Sequence, residues 1–199
     1  MKTVHLTAED VATAAGVLTR AFDDDPGIVY ILPDPALRPK LLPGMFSAIV
    51  RYGLLRGEVL GLEHPAVAVA VWLPSSRTEA DEAGMAEAGM PETMAGWDAG
   101  AQERTGTLVR FLGGMHARLM PEPHAYLSFL GVEPERQGQG LGGGLLQPHL
   151  QQLKASGTSA YLETLKARNV PFYERHGFRV LEQSTIPGTD VSVWAMRSD

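Results

Sequence analysis

Val132-Glu-Pro-Glu-Arg-Gln-Gly-Gln-Gly-Leu-Gly-Gly-Gly-Leu-Leu146 joins an apolar, β-prone run to a helix through a turn built from glycine. Tyr126 to Val132 reads as a strand that Pro134 ends, and the glycines of Gln137-Gly-Gln-Gly-Leu-Gly142 stand where the helix begins. Several backbone N–H groups there have no helical partner, and the positive end of the helix dipole lies behind them. Such a turn is an anion cradle fitted to a phosphate. Glycine serves it because a Cβ would hold the ligand off and oppose positive φ.

Two ligand classes compete for the cradle. Gly138-Gln-Gly-Leu-Gly-Gly143 satisfies G-x-G-x-x-G, with Glu163 at a distance suited to holding a ribose, which is the dinucleotide-binding pattern. In that fold, however, the glycines follow the strand directly. Here a link carrying Pro134 intervenes, and the 56 residues after Gly143 are too few for the rest of a nucleotide fold.

The same residues read as Val-x-Pro-x-x-(Arg/Gln)-x-x-Gly-x-Gly, with Val132, Pro134, Gln137, Gly140 and Gly142 in place. About thirty residues on stands Asn169-Val-Pro-Phe-Tyr-Glu-Arg-His-Gly-Phe178. The pair resembles the acetyl-CoA signature of the GNAT N-acetyltransferase superfamily and its usual companion. Leu162-Glu-Thr164 and Val71-Trp-Leu-Pro74 are similar in particular to the puromycin N-acetyltransferase branch. The close likeness spans roughly residues 125 to 180.

Composition bounds the rest. The 199 residues suffice for one domain with a proper core, and 44% hydrophobic with 20% charged residues is ordinary for a soluble globular chain. Without cysteine there is no disulfide, thiolate metal site or thiol nucleophile. No 18-residue apolar run and no signal-like start are visible, which argues against a membrane span and for a cytoplasmic protein. A net charge of −6 argues against nucleic-acid binding and is easier to reconcile with a cationic small partner, although it also serves plain solubility.

In chain order, Thr3–Leu6 is a strand and Thr7-Ala-Glu-Asp10 caps a helix ended by Asp23-Asp-Asp-Pro26. Tyr30 to Pro35 reads as a loop, Leu37 to Leu55 as a second helix, and Glu58–Leu62 with Ala66–Leu73 as a hairpin. Residues 78–119 form a helical insert rich in Ala, Glu, Gly and Met. After the cradle, the helix runs to about Ala155 with Pro148 inside it, and Ser159 to Lys166 is the fifth strand. Asn169 to His176 is a short helix, followed by a closing pair, Phe178–Glu182 and Val191–Met196. The expectation is a single α/β domain over residues 1–199. Its GNAT fold has a central mixed, mostly antiparallel sheet of about seven strands flanked by helices, with the insert between the third and fourth strands.

The resemblance implies a ligand and a chemistry. Acetyl-CoA, as co-substrate, would lie on the cradle formed by Gln137, Gly138, Gln139, Gly140, Leu141, Gly142 and Gly143. Its arm would enter between splayed fourth and fifth strands along the backbone of Leu130, Gly131 and Val132, with a β-bulge expected at Gly131. Asn169 would contact the arm, and the Tyr173 hydroxyl would protonate the departing thiolate. Outside that motif the two would read as an N-cap and a half-buried packing residue.

Strand alternation places Tyr161 and Glu163 on one face and Leu162 and Thr164 on the other. Glu163, opposite the gap, could be the base that deprotonates the amine, or could only orient the acceptor. Asp25 (with its neighbours Asp23 and Asp24), Tyr30 and Trp72 are acceptor-pocket candidates, each with a plain packing or capping alternative. The methionines of the insert suit an adaptable pocket or a core equally. The six histidines show no metal-ligand spacing, so no metal is expected.

The function expected is direct acetyl transfer in a ternary complex to a primary amine of a small molecule, such as a puromycin-like aminonucleoside or another antibiotic. A CoA-binding sensor without turnover and a protein or peptide N-acetyltransferase are the alternatives. The closing strands leave a homodimer open.

Overall fold

The computed structural model describes residues 2–63, 65–77 and 81–199. Seven strands form one sheet: β1 (Thr3–His5), β2 (Glu58–Leu62), β3 (Ala68–Pro74), β4 (Ala125–Val132), β5 (Ala160–Thr164), β6 (Arg179–Thr185) and β7 (Ser192–Ser198). Their order is β1-β2-β3-β4-β5-β7-β6, with every neighbouring pair antiparallel except β4–β5. The helices are α1 (Val11–Phe22), α2 (Pro26–Ile31), α3 (Arg38–Arg56), α4 (Glu82–Glu87), α5 (Met90–Met94), α6 (Ala99–Leu119), α7 (Leu141–Ala155) and α8 (Val170–Arg175). The beginning of the expected insert, Thr78 to Ala80, lies outside the described residues.

Period-two alternation divides the core between the two sheet faces. Val69 and Val71 of β3 pack with α1, α2 and α3, whereas Ala68, Ala70 and Trp72 pack with Leu141, Leu145, Leu146 and Leu150 of α7. Further along the first face, Tyr161 of β5 and Val193 and Ala195 of β7 meet Met115 of α6 and the neighbouring Met120. The rings of Phe22, Phe46 and Phe129 lie 5.4–5.6 Å apart, centre to centre, and lock α1 and α3 onto β4.

The single parallel contact creates the site. β4 and β5 pair only at Ala125↔Ala160 and Tyr126↔Tyr161, and no further rung joins them toward Val132 and Thr164. A parallel pair needs a long crossover, here supplied by α7. Beyond the second rung the sheet is open.

Two local expectations are corrected. The register break in β4 leaves Ser128, not Gly131, as the extra residue, because Val71 pairs with Phe129 and Trp72 with Leu127. Gly131 pairs regularly with Val69, and its missing side chain makes room for α1: a Cβ there would stand 2.8 Å from Leu18 Cδ2 and 3.1 Å from Ala21 Cβ. Tyr30 and Ile31 are helical, because Asp25 accepts from the Gly27 N–H at 3.0 Å and Pro26 supplies a preset φ, so α2 ends inside the stretch expected to be a loop from Tyr30 on.

The insert contributes mainly core. Met90 and Met94 pack against the first-face cluster, Met85 joins the small group around Tyr52, Leu73 and Ala88, and Met115 of α6 with Met120 just after it packs on Tyr161, Val193 and Ala195.

Candidate active site

Where β4 and β5 part, a cleft of about 630 Å³ runs from the glycine turn to α8. One wall carries Leu130, Gly131 and Val132, whose edge toward β5 has no strand partner. Another carries Gln137, Gly138 and Gly140–Gly143, and the third carries Asn169, Phe172 and Tyr173. Ala21, Phe22 and Asp25 close it from the α1–α2 side.

The turn has the cradle's conformation. Gly138 and Gly140 have φ of +75° and +77°, where a side chain would be strained. Gly140 caps α7 without any side-chain hydrogen bond, so the first amides of the helix have no partner within it. The Gln137 amide donates to the Val132 carbonyl at 3.1 Å, which ties the turn to the end of β4. Gln139 belongs to the turn, but its side chain is spent on the Glu135 carbonyl and Arg136. These features fit an anionic ligand such as the pyrophosphate of acetyl-CoA.

Asn169 and Tyr173 both reach the cleft, Asn169 donating to Thr164 Oγ1 at 3.2 Å. Tyr173 is only 7% exposed. Burial first, and the nearby Asp25 carboxylate second, push its phenol well above the ordinary range, so it holds its proton firmly. Asp25 itself is buried; desolvation raises its carboxyl, opposed chiefly by Lys166. An aspartate that caps α2 is thereby a desolvated negative charge close to Tyr173.

Glu163 is placed differently. It stands two residues past the last β4–β5 rung, beneath α6, and does not line the cleft. Its side chain is 3% exposed, and neither carboxylate oxygen has a hydrogen-bond partner among the described residues. The Tyr126 and Tyr161 phenols lie near enough to favour the charged form in part, without meeting hydrogen-bond geometry. Desolvation outweighs them and raises the carboxyl to about 7.

Two acceptor candidates lie elsewhere. Trp72 faces α7, its ring 4.5 Å from that of His149 beside a separate 300 Å³ cavity, because alternation turns Val69 and Val71 to α1–α3 and Trp72 to the opposite face. Tyr30 packs against the first-face core and is not part of the cleft wall.

Sequence reasoning missed the basic rim of Arg136, Lys166, Arg168 and Arg175. Lys166 and Arg168 both bond Asp24, clasping the α1–α2 turn to the β5–α8 connection. The signal was present as cations flanking both motifs, but the net charge of −6 drew attention to the average instead. Also missed was His176, whose Nδ1–H donates to the Phe172 carbonyl at 2.8 Å and whose ring fills the space that a Cβ on Gly143 would need. Among the described residues no group of three or more His, Cys, Asp or Glu could hold a metal ion. No helix of these residues is long and apolar enough to cross a membrane.

An open sheet with one splayed parallel pair and a glycine-capped crossover helix defines an acyltransferase-type α/β fold. The sequence profile of the Acetyltransferase (GNAT) family matches residues 74–178, and the chain belongs to that family. It is 29% identical over 190 residues to an uncharacterized N-acetyltransferase of Schizosaccharomyces pombe, covering 92% of this chain and 76% of the relative. Among solved structures, one described as histone acetyltransferase HPA2 and related acetyltransferase, from Corynebacterium glutamicum, superposes with a TM-score of 0.66 at 22% identity, covering 99% of this chain and 94% of the other. A mosquito arylalkylamine N-acetyltransferase like 5b does so with a TM-score of 0.62 at 16% identity, covering 99% of each chain. Likeness at that level of identity shares the fold.

Proposed function

We propose that this protein transfers an acetyl group from acetyl-CoA to the primary amine of a small molecule by direct attack in a ternary complex. The observation that carries this reading is the continuity of one cleft from the uncapped start of α7, along the unpaired edge of β4, to buried Tyr173 and Asp25. The co-substrate supplies an activated acetyl thioester. The amides of Gly138 to Gly143 would hold its diphosphate, with Gln137 and Gln139 shaping the turn. Leu130, Gly131 and Val132 would offer backbone groups to its arm, with Asn169 alongside.

The proton steps fall to the chain's own residues. Tyr173, which burial keeps protonated, donates to the leaving thiolate. The acceptor's ammonium group must lose a proton before the free amine attacks, and Glu163, its carboxyl raised to about 7 but set back from the cleft wall, receives that proton through a water relay. Asp25 supplies the desolvated charge that draws this cation into the cleft. Alignment of amine and thioester in a site shielded from water contributes up to about 7 to 11 kcal/mol.

The names of structural neighbours acting on arylalkylamines support an amine acceptor. Within amines, a puromycin-like aminonucleoside is the finer reading, resting on Leu162-Glu-Thr164 and Val71-Trp-Leu-Pro74.

The test is acetyl-CoA-dependent release of CoA thiol with puromycin, arylalkylamines, polyamines, amino acids and a lysine peptide in turn. Turnover with a small amine is expected. Turnover with the peptide alone would move the acceptor to proteins. Silence across the panel while calorimetry still shows acetyl-CoA bound would replace the enzyme reading with a CoA sensor.

A further inference from the structure

Under α6, Glu163 shares a closed compartment with two histidines that acetyl transfer, as described, leaves unused. His116, in the last turn of α6, lies with its ring 4.3 Å from that of Tyr161 and 4.6 Å from that of Tyr126. Its Nδ1 stands 4.0 Å from Glu163 Oε1, and its Nε2 lies 2.6 Å from Nε2 of His124. His124, which precedes β4, places its Nδ1 2.6 Å from the Glu122 carbonyl oxygen, and its backbone N–H donates to Ser75 Oγ. Both histidines are buried, at 5% and 4% exposure.

The tautomers follow from one acceptor. A carbonyl oxygen only accepts, so His124 Nδ1 carries a hydrogen. Burial disfavours the charged ring, as it does for His116, which desolvation first and His124 second lower to about 4. Neutral His124 therefore has a bare Nε2. At 2.6 Å two N–H groups cannot face each other, so His116 Nε2–H donates to it. That leaves His116 Nδ1 without a hydrogen, facing Glu163; the 4.0 Å contact is not an ion pair.

We propose that His116 and His124 are positioning residues for Glu163: the Glu122 carbonyl fixes both tautomers, so that His116 turns a lone pair on the carboxylate and leaves it a strong proton acceptor. The inference rests on the reading of Glu163 as the base. A donor in that place would stabilise the carboxylate and weaken it as a base. The other groups facing Glu163 are the Tyr126 and Tyr161 phenols. Behind them stand the Arg118–Glu182 pair beside Tyr161, and Arg197 of β7, whose charge disfavours protonation of His124.

The decisive readouts do not depend on turnover. In ¹⁵N-labelled wild-type protein, imidazole correlations are expected to show hydrogen on Nε2 of His116 and on Nδ1 of His124. A hydrogen on His116 Nδ1 would overturn the proposal. The ¹³C carboxyl resonance of Glu163, assigned by its loss in Glu163→Gln, is then titrated in His116→Gln, whose amide can donate to the carboxylate, and in His124→Phe, which removes the lock. Each variant is expected to lower the Glu163 midpoint by about one pH unit or more. The acid limb of kcat/KM is expected to move down with it. An unchanged midpoint in the folded variants refutes the positioning role; a variant that does not fold leaves the wild-type tautomers to decide. If the wild type acetylates no amine, the base reading fails, whereas the tautomer and titration results still judge the lock.

Discussion

Glu163→Gln is expected to change how stability depends on pH, with a size set by burial. In the folded chain the Glu163 carboxyl rises from 4.5 to about 7, chiefly by desolvation. A group whose folded value lies above its unfolded one adds stability below the unfolded value and loses it as pH rises through the folded one. The window therefore runs from about 4.5 to about 7. At about 1.4 kcal/mol per pH unit, the loss reaches about 3 kcal/mol, a large share of a typical folding free energy of about 5–15 kcal/mol.

His116 acts in the opposite direction. Its value falls from 6.5 to about 4, so the unfolded chain binds its proton first and stability rises with pH across that interval. In the wild type the two slopes oppose each other over most of the same range and conceal one another. Comparing wild type with Glu163→Gln isolates the carboxylate, because the remaining groups are common to both. Urea unfolding followed by circular dichroism at about pH 4 and about pH 8 gives the two differences. The variant is expected to gain about 3 kcal/mol on the wild type between these conditions, whatever its offset at low pH. A variant–wild-type difference that changes by less than about 1 kcal/mol between the two pH values would refute the raised carboxyl and the argument from its burial.

Three further outcomes follow from the cleft. Tyr173→Phe is expected to lower kcat by about 10²–10⁴ while calorimetry shows the acetyl-CoA Kd unchanged; equal losses in both would make Tyr173 a binding residue. Asp25→Asn keeps the cap on α2 and removes the charge, so KM for the amine is expected to rise about tenfold or more, with kcat and thermal stability nearly constant. Gly131→Ala pushes a methyl to 2.8 Å from Leu18 Cδ2, and is expected to cost about 1–3 kcal/mol in chemical denaturation by forcing α1 off β4.

The cradle was legible in the sequence because its demands are local. Positive φ at Gly138 and Gly140, and a helix start without a capping side chain, are properties of consecutive residues. Asn169 and Tyr173 were legible for the same reason. Trp72 was misplaced because an acceptor role takes more than being a large aromatic on a central strand: strand parity sends its ring to α7, and Val69 and Val71 before it already showed that parity. The Gly131 bulge failed because glycine in a strand has two explanations. Close approach by Leu18 and Ala21 comes from a helix more than 100 residues away in sequence, whereas Ser128, the residue that bulges, carries no local mark.

The His116–His124–Glu163 arrangement was hidden more deeply, and its concealment has a physical cause. Its members come from the end of the insert helix, from the loop before β4 and from β5, so no spacing rule unites them. Each has an adequate dull explanation alone: a histidine in the last turn of a helix, a histidine after a proline, an acid in a strand. Only tertiary packing makes them unusual, by sealing a carboxylate with no hydrogen-bond partner among the described residues against a ring that the Glu122 carbonyl, through His124, obliges to present a lone pair. A fold selected for stability alone would place a hydrogen-bond donor in that position, since a buried unsatisfied carboxylate is expensive. That expense is what makes the carboxylate a capable base, and the insert that closes over it is the element through which stability and chemistry are set against each other here.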